Sequence, residues 1–152
     1  MPQWAWLGKP GSALSSADVN TLEPVQAYLG LDLPGVLGRG SRLTVEGGRF
    51  TFNLASRRFV ASDDYRNATS GYTGLRAFLK ARDGTAATLF FVLPQTRLPD
   101  DFPSLLANRA ALDRESFDLQ LLGGVVNRPR VLLGGAAELG FYRLVERDAP
   151  GR

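Results

Sequence analysis

Thr88-Leu89-Phe90-Phe91-Val92-Leu93-Pro94 is the chain's unbroken apolar run of strand-forming residues. A strand with one wet face alternates apolar and polar residues, and this one does not. Its composition therefore predicts a strand, Thr88–Leu93, buried on both faces in the middle of a covered sheet. Pro94 ends it, because proline has no N–H for a central ladder.

Outward from this run, the glycine pair Gly47-Gly48 separates Arg42-Leu43-Thr44-Val45-Glu46 from Arg49-Phe50-Thr51-Phe52-Asn53-Leu54. Two glycines between alternating segments predict a tight hairpin. In that register Glu46 faces Arg49, Val45 faces Phe50, Thr44 faces Thr51 and Leu43 faces Phe52. One face is then apolar and the other holds threonines and an ion pair. Arg57-Arg58-Phe59-Val60-Ala61 extends the meander as a third strand.

Helical expectations fall on three segments. Thr21 to Gly30 has a threonine cap, an early Pro24 and a closing glycine, with Leu22, Val25 and Leu29 on one face. A second helix begins after Asn67-Ala68-Thr69-Ser70 and ends at Lys80-Ala81-Arg82, with Tyr72, Leu75, Phe78 and Leu79 as its stripe. A third starts behind Asp100-Asp101 at Phe102-Pro103 and runs to about Arg114. Phe117 to Leu121, Arg130 to Leu133 and Leu139 to Glu146 read as strands.

The resulting expectation is α+β. It is a single layered domain over residues 1–152, with a mixed, largely antiparallel sheet of six to seven strands and two to three helices. Residues 1–14 form an N-terminal arm and 148–152 a frayed tail. The 152 residues, 44% of them hydrophobic and 22% charged, suit one such domain.

The chain has no cysteine and no histidine. That removes disulfides, thiol nucleophiles, imidazole bases and the usual zinc sites. No apolar run approaches the roughly 20 residues of a membrane helix. The start, Met1-Pro2-Gln3-Trp4, lacks the pattern of a signal peptide. A cytoplasmic protein without membrane contact is the expectation, and the Asn67-Ala68-Thr69 sequon is set aside with it.

Of the 18 basic residues, 16 are arginine. Arginine forks suit phosphates and carboxylates. Arg42, Arg49, Arg57 and Arg58 fall on the meander, and Arg128 and Arg130 flank a turn proline. The leading expectation is therefore a non-catalytic binding domain whose Arg-rich sheet face meets an anionic partner, nucleic acid first. A protein–protein or homo-oligomeric module anchored by Trp4 and Trp6 is the alternative. A magnesium-dependent phosphoryl hydrolase or nuclease using Asp63 and Asp64, with Glu46 and Lys80 nearby, ranks third. Ser70 and Lys80 are ten apart and do not form a Ser-x-x-Lys pair. No cofactor or resident metal is expected, and no catalytic residue is assigned.

Overall fold

In a computed structural model, residues 2–5, 20–51, 53–54, 71–131 and 134–147 are described. Six strands form one antiparallel sheet in strict sequence order: β3 (Ala27–Pro34), β4 (Arg42–Phe50), β5 (Tyr72–Lys80), β6 (Ala86–Pro94), β7 (Leu119–Arg128) and β8 (Ala137–Glu146). A separate antiparallel pair joins β1 (Pro2–Ala5) to β2 (Asn20–Pro24). One short helix is described, α1 (Phe102–Leu106).

The α+β expectation is thus corrected to a mostly β architecture. The expected helix at 21–30 is β2 and β3, and the expected helix ending at Lys80 is β5. The helix expected to reach Arg114 stops after five residues. Tyr72, Leu75, Phe78 and Leu79 fit a helical stripe only because β5 carries apolar groups on both faces. Tyr72 and Phe78 point one way, and Leu75 and Leu79 the other.

The Gly47-Gly48 hairpin is also corrected. Both glycines lie inside β4, opposite Leu29 and Tyr28 of β3 and opposite Leu75 and Gly74 of β5. They serve close approach between strands. A Cβ on Gly48 would strike the Ala27 carbonyl at a φ of 135°, and one on Gly47 would come within 2.9 Å of the Leu75 Cδ2. Glu46 consequently faces Arg76 of β5, and Arg49 faces Thr73.

The run that opens the sequence argument forms β6, with β5 on one side and β7 on the other. Its two faces differ. Phe90 and Val92 are buried and join Phe50, Leu54 and Tyr72 in the core, with Leu121 and Tyr142 against it. Leu89 and Phe91 point the other way and are 60% and 40% exposed. The expectation of a strand dry on both sides therefore fails on that second face.

The third meander strand at 57–61 and the tail 148–152 lie outside the described residues. So do Leu132 and Leu133 of the strand expected at 130–133, and Arg130 itself sits in a turn at a φ of 56°.

Phe90 and Gly123 make the packing testable. A Cβ on Gly123 would lie 2.8 Å from the Phe90 ring and would strike the Phe141 carbonyl. Gly123→Val is expected to cost about 1–3 kcal/mol or more through overpacking. Phe90→Ala should cost about 3–5 kcal/mol, and Phe91→Ala clearly less. Chemical denaturation of the three variants beside the parent checks the order.

Candidate functional site

The register divides the six-stranded sheet into two faces of opposite character. On the first, one row across the strands reads Leu33, Leu43, Leu79, Ala87, Val126, Leu139. The next reads Leu31, Val45, Ala77, Leu89, Gly124, Phe141, and the third Leu29, Gly47, Leu75, Phe91, Leu122, Arg143. Arg143, on edge strand β8, is the single charge in these three rows. Much of this surface is open: Leu29 is 86%, Leu139 77% and Phe141 64% exposed. A shallow apolar depression of about 1060 Å³ lies around Gly124, between Leu89, Phe91 and Phe141.

The second face is charged and aromatic, covered around its middle and exposed at the short-turn end. Asp32 and Thr44 are hydrogen-bonded across β3 and β4. Glu46 Oε2 accepts from Arg76 Nε at 2.6 Å, and both side chains are largely shielded from water. The Arg76 guanidinium lies 4.1 Å from the Phe50 ring centre, with Phe78 and Tyr28 within 5.4 Å. Its Nη1 also donates to the Thr51 carbonyl at 3.2 Å. Asn127 donates to Glu138 at 2.6 Å. Burying an ion pair costs desolvation, and the extra hydrogen bond and stacked rings offset that cost.

A soluble sheet ordinarily hides its apolar face and wets its charged one. Here the Glu46–Arg76 pair and the rings around it are shielded, the charges at the short-turn end of that face (Asp32, Arg42, Lys80, Glu138) are exposed, and the apolar face is open over much of its area. Contiguous exposed apolar surface is uncommon on monomeric soluble proteins.

The connections are as lopsided as the faces. At one end of the sheet the links are residues 35–41, 81–85 and 129–136, all short. At the other end they are 51–71 and 95–118, each more than twenty residues. Asp83 caps the 81–85 turn by accepting from Thr85 N at 2.9 Å.

At the long-connection end the three rows give way to a fourth that includes Arg49, Thr73 and Leu93, with Gln120 on the same face of β7 two residues before Leu122. The 95–118 connection is fastened here. Arg49 Nη2 donates to Glu115 Oε1 at 2.8 Å and to the Asp113 carbonyl at 3.1 Å. The Thr73 hydroxyl donates to the same Glu115 oxygen at 2.5 Å, and Gln95 Nε2 donates to it at 3.2 Å. Leu93 is buried in this row, unlike Leu89 and Phe91 on the same face.

Two carboxylates titrate in opposite senses within this clasp. Burial alone would raise Glu115, but the hydrogen bonds from Thr73 and Arg49 and the guanidinium's charge hold it below its usual range. Burial pushes Asp113 up, partly countered by the Leu98 N–H and by Arg49 and Arg97.

The arginines named from sequence do not converge. Arg42 is on the charged face at the short-turn end, an exposed 3.8 Å from Asp32. Arg49 is on the apolar side at the opposite end, held by Glu115. Arg128 and Arg130 are exposed beside the 129–136 turn. Arg57, Arg58, Asp63, Asp64, Ser70 and Trp6 lie outside the described residues, and Trp4 is placed by backbone alone, in β1. Lys80 ends β5 opposite Arg42, two rows from Glu46. Among the described residues no three acidic side chains gather as a metal would require.

Glu115 and the apolar rows were not singled out from sequence. The rows had a signal, Leu29-x-Leu31-x-Leu33, which the helical reading of 21–30 obscured. Glu115 had none, since its partners Gln95, Thr73 and Arg49 are 20, 42 and 66 residues away. Comparison with protein-family models, curated proteins and solved structures finds no match.

Because Glu115 is depressed, its contribution to stability is fully present above its unfolded range, about pH 4.3. It is lost as pH falls through the lower folded value. Asp113 acts in the opposite sense: its contribution is present when protonated and is lost as pH rises through its raised value. Glu115→Gln should weaken the clasp by about 1–3 kcal/mol at pH 7, the scale of charge-assisted hydrogen bonds. It should also flatten the acid loss. Rates of proteolytic cleavage within 95–118 at pH 7 and pH 4 check both.

Proposed function

We propose that the six-stranded sheet is a wall segment of a membrane-spanning antiparallel β-barrel, with its apolar face against lipid and its charged face lining the interior. The single observation that carries this reading is the open apolar face, three apolar rows exposed over much of their area while the Glu46–Arg76 pair is shielded on the other side. Spanning strands need about 9–11 residues and alternate apolar-out with polar-in. The six strands here have 8 to 10 residues each; β3 and β4 alternate in this sense, while β5, β6 and β7 carry apolar groups on both faces. Nearest-neighbour antiparallel order, with short turns at one end and long connections at the other, is the pattern of outer-membrane-type barrels.

Such a wall satisfies the constraint that hydrocarbon imposes on backbone. β4, β5, β6 and β7 each pair with a neighbouring strand on both sides, so the ladder needs only closure at β3 and β8. Closed barrels of this kind begin at about eight strands. The edge strands β3 and β8 would therefore each take a further strand.

Among the described residues no helix is long and apolar enough to cross a membrane, a fact that concerns helices alone. The interior face holds Arg42, Arg76 and Lys80 together with Asp32, Glu46, Glu138 and Glu146. These mixed signs favour a general polar lining over selection for one charge. A polyanion surface at Arg128 and Arg130 is the second reading, favoured by their exposure at the short-turn end. It predicts binding that falls steeply with salt.

The cysteine-free chain suits single-cysteine nitroxide labelling along β6 in phospholipid vesicles. Labels at Leu89 and Phe91 should be open to oxygen and shielded from a water-soluble nickel chelate, while those at Thr88 and Phe90 should not favour oxygen. Free access of the chelate to Leu89 and Phe91 would sink the reading. Shielding from both reagents would point instead to a second copy packed on this face. Leu89→Arg, in the middle row, should destabilise the inserted protein by about 2–4 kcal/mol.

A further inference from the structure

We infer that the 95–118 connection forms a collar seated in the headgroup region of the bilayer, outside the sheet, with Phe102, Leu106, Leu112 and Phe117 turned into lipid. The inference rests on the wall reading and names a further lipid contact for it.

Three observations place the collar. The first is the side on which it is fastened. Arg49 and Thr73, which hold Glu115, share the face of Leu75 and Phe91 and not that of Phe50 and Tyr72. The connection therefore turns outward onto the apolar face at its polar margin. The 51–54 stretch does the reverse, since Thr51 and Leu54 meet the charged face through Arg76 and the core.

The second is that the connection is built. Thr96 and Arg114 pair as a β-bridge, with N–O distances of 2.8 and 3.1 Å. Leu98 N donates to Asp113 Oδ1 at 2.9 Å. Asp101 caps α1 through Ser104 N at 2.9 Å, and Leu105 is buried.

The third is what the connection leaves outside. Phe102 and Leu106, four apart on α1, are 58% and 49% exposed, and Leu112 and Phe117 more so. Arg109 and Arg114 are exposed among them. Aromatic and aliphatic groups interspersed with arginine suit the boundary where hydrocarbon meets phosphate. The polar row at Arg49, Thr73 and Gln120 is where that boundary falls on the sheet.

The test uses single-cysteine nitroxide variants Phe102→Cys, Leu112→Cys and Phe117→Cys in phosphatidylcholine–phosphatidylglycerol vesicles. Leu89→Cys is the deep reference and Asp83→Cys, on the opposite short turn, the aqueous one. The collar predicts oxygen-to-nickel accessibility ratios between the two references, several-fold above Asp83. Adding Glu115→Gln should shift the collar labels toward the aqueous value and leave Leu89 unchanged. Collar labels equal to Asp83, with Leu89 still deep, would overturn the collar and leave the wall standing. Collar labels shielded from both reagents would overturn it in favour of protein packing. A Leu89 label that is itself aqueous would remove the wall, and the collar with it.

Discussion

Glu46 and Arg76 face each other across β4 and β5 at 2.6 Å, over the ring of Phe50. Because side chains alternate along a strand, that one pairing orients everything in register with it. With Glu46 and Arg76 on one side, Val45, Ala77, Leu75 and Gly47 must go to the other. Antiparallel pairing hands the same choice to β3, β6, β7 and β8 in turn. A slip of one residue would put both charges onto the open apolar rows and bring leucines against Asp32, Lys80 and Glu138. The cost of an unpaired charge on an apolar surface therefore opposes any odd shift of the register.

The glycines make that register physically possible. Gly48 and Gly74 sit opposite each other on the charged face, and Gly123 lies beneath the Phe90 ring. Without side chains at these points, Phe50, Phe90 and Tyr142 can lie close to the sheet and exclude water from the ion pair. On the other face Gly47 makes room for Leu75, and Gly124 for Leu89. Residues that read as turn signals in the sequence thus act as packing space within strands.

The same fact explains what could be read in advance. The segments at 88–94 and 139–146 were legible as strands, since β-branched and aromatic composition or clear alternation marks them, and 117–121 caught only the first residues of β7, whose first two expected residues are a turn. The segments at 21–30 and 72–80 were not. When both faces of a strand bear apolar groups, the period of two disappears. A short window such as Tyr72, Leu75, Phe78, Leu79 then satisfies a period of 3.6 equally well. The doubled glycine at 47–48 favoured a turn by local chemistry, and only the pairing of β4 with β3 and β5 overrides it. The candidate site was less legible still. An exposed apolar face is a property of six strands in register, and no single segment announces it.

The inversion of the sheet finally bears on why Phe91 and Leu89 are there at all. The composition of β6 calls for apolar surroundings on both sides, and the chain supplies them on one. Phe50, Leu54 and Tyr142 cover Phe90 and Val92, and only Leu93 on the opposite face is enclosed. An open face of leucines in water would cost about 25 cal/mol for each Å² left wet. It would also present an aggregation surface between two edges, β3 and β8, that have no partner strand among the described residues. A hydrocarbon environment removes both liabilities. It matches the apolar rows, and it makes completion of the hydrogen-bond ladder at β3 and β8 obligatory. On the wall reading, the run that first suggested a buried strand would have protein against one face and lipid against the other.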